Sequence, residues 1–143
     1  MVDVTTQIDI AVPSSVVSQF ASNPDNAPLW YVNIKSVEWK TPKPLRVGSQ
    51  LDFVAHFMGK KLSYTYEVRE MSENKFVMST AQGPFPMETT YSFEKVDEQR
   101  TLMKLRNTGK PSGFSKLLAP FMGIMMRKAN NKDLRKLKEI LEQ

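Results

Sequence analysis

Val2, Val4, Thr6, Ile8, Ile10 and Val12 alternate with Asp3, Thr5, Gln7 and Asp9, the two-residue period of a strand with one buried face. Pro13 ends the run, and Ser14 or Ser15 is placed to cap a short helix carrying Val16, Val17 and Phe20. Asn23-Pro24-Asp25 punctuates the chain before a second helical turn that reaches Leu29-Trp30-Tyr31. A further strand is expected around Ile34 to Lys40, followed by a Pro-rich link from Thr41 to Leu45 and a turn at Gly48. Five more alternating runs lie near Leu51 to Met58, Leu62 to Met71, Lys75 to Ala81, Met87 to Val96 and Arg100 to Asn107. Their connections are too short for helical crossovers, so they read as an antiparallel meander. Met58-Gly59-Lys60, Ser72-Glu73-Asn74 and Asp97-Glu98-Gln99 are tight turns, whereas Gln82-Gly83-Pro84-Phe85-Pro86 is longer and can stand at the mouth of a cavity.

After a link from Thr108 to Gly113 the pattern becomes helical, from about Ser115 to Gln143, opening on Leu117, Leu118, Phe121, Met122, Ile124, Met125 and Met126. At about 100° per residue, Phe114, Leu117, Leu118, Phe121 and Met125 form one stripe, and Leu134, Leu137 and Leu141 fall well round from it. A bend at Pro120, Gly123 or Asn130-Asn131 would reconcile the two. Pro120 has no amide for the helix, so it should either kink it or mark where its regular part begins. The order strand, two short helices, six strands and long helix defines an α+β fold, expected as one domain over residues 1–143. A helix so apolar in one half, following such a sheet, implies a curved sheet gripping it with room for an apolar ligand.

A chain of this length buries roughly 70% of the surface it exposes when unfolded, enough for one sizeable core. With no cysteine, disulfides, thiolate zinc sites and thiol nucleophiles are excluded, and a reducing compartment is expected. Met1 to Ile10 lack the pattern of a signal peptide, and no run of about 18 apolar residues occurs, so the expected location is cytoplasmic. The net charge is +5. Its cations gather late, at Arg127, Lys128, Lys132, Arg135, Lys136 and Lys138, interrupted by Asp133. Such a face suits the negative end of the helix dipole and offers a contact for an anionic membrane surface. No aromatic residue lies within it, which argues against nucleic acid.

Nine methionines are many for this length, and Met58, Met78, Met87, Met122, Met125 and Met126 fall on elements expected around the cavity. Methionine is flexible and polarisable, so a pocket lined with it can adapt to irregular ligands. Leu62, Tyr64, Tyr66 and Val68 share the strand face expected to meet the helix, opposite Ser63, Thr65, Glu67 and Arg69. Tyr64 and Tyr66 would then place hydroxyls inside, each requiring a partner.

His56 is the only histidine, and its position with Asp52, across the strand from Leu51, Phe53, Ala55 and Phe57, puts it on the outer face and argues against a general base. Glu67, Glu70, Glu88 and Glu94 read as solvent-facing rather than as a catalytic pair, and no metal-ligand spacing or cofactor motif occurs. Arg46 or Asn107 is placed to orient the polar end of a ligand. The candidate ligand contacts are Trp30, Tyr64, Tyr66, Met78, Phe85, Met87, Tyr91, Phe114, Phe121, Met122 and Met125. No residue set defines a reaction, and nothing in the sequence sets an oligomeric state.

Several phrases, in this order, resemble the START-like helix-grip superfamily, also called SRPBCC, with its birch pollen allergen and polyketide cyclase and dehydrase members. They are Ile10-Ala11-Val12-Pro13 with Ser14 to Phe20, Trp30 after the Pro24-Asp25 turn, Pro44-Leu45-Arg46-Val47-Gly48-Ser49, Tyr91-Ser92-Phe93-Glu94 with Thr101, and Leu134 to Leu141. The resemblance spans nearly the whole chain. It implies a curved seven-stranded antiparallel sheet wrapped around the C-terminal helix, two small helices closing the base, and a cavity for lipids, sterols, polyketides or aromatic compounds. The function implied is binding of a hydrophobic small molecule, as a carrier or cyclase-like protein. A co-chaperone-like protein-binding module and a helper that binds quinone or membrane lipid are the alternatives.

Overall fold

The computed structural model describes residues 1–57, 59–83, 85–110 and 119–143. Strand β1 (Val2–Ile10) leads into helix α1 (Ser14–Ala21), a 3-10 turn (Pro24–Asn26) and helix α2 (Ala27–Trp30). Strands β2 (Ile34–Trp39), β3 (Gln50–Phe57), β4 (Lys60–Met71), β5 (Lys75–Gln82), β6 (Met87–Asp97) and β7 (Arg100–Gly109) follow, and helix α3 (Ala119–Leu141) closes the chain. The strands form one seven-stranded sheet in the order β1-β7-β6-β5-β4-β3-β2. Every neighbouring pair is antiparallel. Strands β1 and β2 are therefore opposite edges, and α1, the 3-10 turn and α2 carry the chain from one to the other.

Strand β1 pairs with β7 without interruption from Val2↔Gly109 to Ile10↔Thr101. Elsewhere the ladders slip, between Thr65 and Tyr66 and between Val68 and Glu70 on β4, and between Lys95 and Asp97 on β6. Such bulges bend a strand and raise its twist, which helps the sheet curl into a half-barrel around α3. Gly59, at φ 76°, takes the left-handed backbone of the β3–β4 turn.

The alternation in sequence becomes an inside and an outside. Val2, Val4, Thr6 and Ile10 of β1 are buried, as are Thr101, Met103 and Leu105 of β7. Outward, Arg106 makes a bidentate pair with Asp3 at 3.0 and 2.8 Å, an exposed contact that solvent screens.

Two local expectations are corrected. Neither Ser14 nor Ser15 caps α1: Pro13 is the N-cap residue, and its carbonyl accepts from the amides of Val16 and Val17 at 3.0 and 3.1 Å. The second correction concerns α3. Leu134 and Leu137 are buried against the sheet. At about 100° per residue, Met122, Met126, Asn130 and Asp133 all fall within about 60° of Leu137, whereas Phe121 falls about 160° away. Accordingly Met122 is buried, while Phe121 is 55% exposed and Ile124 68%. A single inward stripe thus runs the described length of α3, and it is not the one through Phe121 and Met125. The expected helical residues 115–118 lie outside the described residues.

Candidate functional site

A cavity of about 130 Å³ lies between the concave face of the sheet and α3. Strand parity builds one wall. Phe53 and Ala55 come from β3, Leu62, Tyr64 and Tyr66 from β4, Phe76 and Met78 from β5, and Met87, Thr89 and Tyr91 from β6. The stripe of α3 builds the other, with Met122, Met126, Ala129, Asn130 and Asp133. Tyr31 and Ile34, which follow α2, close the base, and Phe85 from the β5–β6 connection also reaches the lining. Gly109 leaves room for that phenylalanine: a Cβ there would stand 3.3 Å from the Phe85 ring.

Of the residues singled out in the sequence, Tyr64, Tyr66, Met78, Phe85, Met87, Tyr91 and Met122 are brought together here. Trp30 is not among the lining residues. It is fully buried behind Tyr31, with ring centroids 4.2 Å apart. Helix α2 ends at Trp30, and the extended backbone of Tyr31 (φ −76°, ψ 117°) takes that ring into the cavity instead. Phe121 and Met125 lie off the lining because of the phase of α3. Phe114 and Met58 are outside the described residues. Arg46 is exposed in the β2–β3 link, whereas Asn107 does line the cavity. His56 is exposed and takes no part in it.

Several polar atoms inside form two short hydrogen-bonded chains, while Ser22 Oγ is buried without a partner among the described residues. The Tyr66 hydroxyl bonds Thr89 Oγ1 at 2.8 Å, and Thr89 donates to Asn107 Oδ1 at 2.6 Å. The Tyr31 and Tyr91 hydroxyls bond each other at 2.6 Å. On α3, Asp133 Oδ1 accepts from the Val32 amide at 2.8 Å. Asn130 is only 4% exposed, and its side-chain Nδ2 is buried without a hydrogen-bond partner among the described residues.

Burial sets the proton affinities. It raises the Tyr66 phenol to about 12 against the opposing bond from Thr89, and it pushes Tyr31, Tyr64 and Tyr91 up as well. All four stay protonated at neutral pH and act as hydrogen-bonding groups rather than bases. Asp133 is raised to about 7, since burial outweighs the Val32 amide and the charge of Lys136. It can therefore exchange a proton near neutrality. The lining contains no lysine, arginine or histidine among the described residues.

Asn130, Asp133 and Thr89 are polar site residues that sequence reasoning missed. A signal for the first two was present: Asn130 and Asp133 each stand four residues before Leu134 and Leu137 respectively, which places polar groups on an apolar helix face.

A second depression, about 640 Å³ and more open to solvent, lies outside the grip between α1 and the β4–β5 turn. Asp25 accepts there from Trp39 Nε1 and Lys43 Nζ, both at 2.7 Å, so its carboxylate is already paired.

A curled antiparallel sheet closed on one helix over an aromatic cavity is the helix-grip architecture. The chain belongs to the polyketide cyclase / dehydrase and lipid transport family, whose model matches residues 1–142. Among solved structures, TTHA0849 from Thermus thermophilus is similar with a TM-score of 0.83 at 23% identity, over 96% of this chain and 94% of that one. A START superfamily protein from Mycobacterium smegmatis gives 0.83 at 18% identity, over 99% and 97%. The Zhui aromatase/cyclase from Streptomyces sp. R1128 gives 0.82 at 12%, over 98% and 93%. At these identities the likeness is one of fold. No curated protein sequence matches the chain. Among the described residues, no helix is long and apolar enough to cross a membrane.

Proposed function

We propose that the protein binds a hydrophobic or aromatic small molecule in the cavity between sheet and α3, as a carrier or in a cyclase-like role. The observation that carries this reading is the lining itself: aromatic rings and methionines enclose unfilled space, with a few converging polar groups to orient a guest. The family description, polyketide cyclase / dehydrase and lipid transport, and the aromatase/cyclase neighbour favour the same reading. A cavity of about 150 Å³ accepts one benzene ring, so this one suits a ring-sized group as it stands, and a larger ligand requires the Phe85 side or the start of α3 to move outward. If the protein is catalytic, its contribution is placement of a reactive molecule, with Asp133 as the group able to exchange a proton.

The test is mass spectrometry of the protein purified without denaturant, followed by extraction of retained small molecules. A stoichiometric apolar compound supports the reading. An empty protein that also ignores a panel of lipids, quinones and aromatic polyketides overturns it in favour of a surface-binding module.

A second reading, membrane contact during ligand delivery, is favoured by the outer side of α3, where Phe121 and Ile124 are exposed on the same helix as Lys128, Lys132, Arg135 and Lys136. Salt-sensitive binding to vesicles containing phosphatidylserine, lost on charge reversal of Arg135 and Lys136, would support it. Binding that is absent at low salt would remove it.

A further inference from the structure

Asn130 holds a buried side-chain nitrogen with nothing to donate to among the described residues, three residues before a buried carboxyl, on a wall whose other side is aromatic. Ser22 Oγ and Trp30 Nε1 are also buried without a partner among the described residues, but of the three only Asn130 stands on the α3 wall beside a carboxyl. Buried polar groups are nearly always satisfied, and an orphan so placed points to a partner that arrives from outside the chain. The tyrosines do not supply it. The Tyr66 hydroxyl is engaged with Thr89, Tyr31 is engaged with Tyr91, and Tyr64 makes no hydrogen bond to Asn130. Asp133 receives only the Val32 amide among the described residues, leaving lone pairs on its carboxyl.

We propose that the ligand is a neutral molecule presenting a hydroxyl group on a ring-sized apolar body, and that Asn130 and Asp133 together hold that hydroxyl. Its oxygen accepts from Asn130 Nδ2 and its hydrogen is donated to Asp133, while the ring packs among Tyr31, Tyr64 and Tyr91. A hydroxyl is both donor and acceptor, so it matches a carboxamide and a carboxyl whichever end of the carboxamide faces it. This inference rests on the binding function proposed above and narrows its ligand class.

Other classes fit worse. A carboxylate would be desolvated beside Asp133, with no lysine, arginine or histidine in the described lining to pair with it. A pure hydrocarbon would leave the Asn130 donor unsatisfied. An ammonium group would suit Asp133 but has no lone pair to accept with, so the Asn130 donor would stay unsatisfied whichever way the carboxamide is turned.

The experiment is titration of the full chain, by calorimetry or NMR, with four ring-sized probes: p-cresol, toluene, benzoate and benzylamine. p-Cresol is expected to bind roughly tenfold more tightly than toluene, benzoate and benzylamine. In Asn130→Leu, near in shape but without polar atoms, that preference should fall to near unity while toluene affinity holds. The same variant should unfold at a higher temperature than the parent, because it removes an unpaired buried donor. Asp133→Asn, which keeps an acceptor for the Val32 amide, should also weaken p-cresol more than toluene and guards against a folding artefact in the first variant. Equal binding of p-cresol and toluene, or tightest binding of benzoate or benzylamine, would overturn this inference and leave the proposed function standing. Failure of all four probes together with the larger lipid, quinone and polyketide panel would overturn both.

Discussion

The two halves of α3 meet the same sheet on different terms. From Asp133 onward the helix closes a dry core: Leu134 and Leu137 join Ile10, Val17, Trp30, Leu51, Phe93 and Met103, all essentially without exposed surface. From Met122 to Asn130 the helix instead roofs a cavity. Met122 packs with Val2 and Val4, Met126 and Phe85 lean on that small cluster, and Phe121 and Ile124 face outward. Close packing gains many weak contacts per side chain, and a gap forfeits them. One end of the grip therefore holds the helix, and the other tolerates a void because the first end fixes the helix's direction and phase.

Substitution at the two ends is the most direct way to break that comparison. Leu137→Ala should cost about 2–5 kcal/mol, since it removes a fully buried side chain from a core that cannot collapse around the loss. Met126→Ala, at the half-buried cavity end, should cost less than half as much in the same urea titration. Equal costs would mean that the cavity end is as tightly packed as the base.

The next effect in size depends on pH and comes from Asp133. Its neighbours are Tyr31 and the Val32 amide after α2, Tyr64 and Tyr91 from the sheet, and Lys136 on its own helix. Because its pKa rises from 3.8 to about 7 on folding, the folded state holds this proton where the unfolded chain has released it. Its contribution to stability is full below about pH 4, declines as pH rises towards 7, and is lost above. Asp133→Asn cannot ionise and should flatten that decline, gaining between about 1 and 4 kcal/mol over the parent at pH 8 and little at pH 4. A gain independent of pH would place the stress at this site in packing rather than charge.

The strands were legible because a strand offers only two phases, and the parity of Leu51, Phe53 and Ala55, or of Leu62, Tyr64 and Tyr66, chooses between them. Most of the sheet wall of the cavity could be named on that basis. The helix was harder to read. Phe121, Met122, Ile124, Met125 and Met126 are apolar on several sides of one turn, so that end alone leaves the phase open. The answer lay about four turns away in Leu134 and Leu137. Extending their phase backward selects Met122 and Met126 and turns up Asn130 and Asp133, which read as part of a basic, solvated stretch when charge alone is counted. Trp30 and Tyr31 illustrate a different limit. Adjacent aromatics exchanged roles because α2 ends between them, and helix ends are the features local pattern defines least well.

A smaller effect is expected within the lining itself. Tyr31→Phe removes the hydroxyl that bonds Tyr91 at 2.6 Å and should cost about 1 kcal/mol, a typical net value for one hydrogen bond. The loss stays modest because Tyr91 borders the cavity, where water can take up its freed hydroxyl. A cost well above that would show that the pair is sealed from the cavity, and would move the base of the site to the dry side of the comparison.

The smallest effect tests the phase of α3 directly. Phe121 and Met122 are neighbours in sequence on opposite sides of the helix, one 55% exposed and the other 8%. Exposed side chains away from special contacts contribute within about ±0.5 kcal/mol, so Phe121→Ser should leave the urea midpoint almost unchanged. Met122→Ser should lower it clearly, because it puts a hydroxyl among Val2, Val4 and Phe85 and removes the contacts that seat this end of the helix on β1. The pair removes similar apolar bulk from adjacent positions, so helix propensity and unfolded-state effects largely cancel between them and the difference reports the side each residue faces. Reversed costs would return the inward stripe to Phe121 and Met125, and with it take Asn130 and Asp133 out of the cavity.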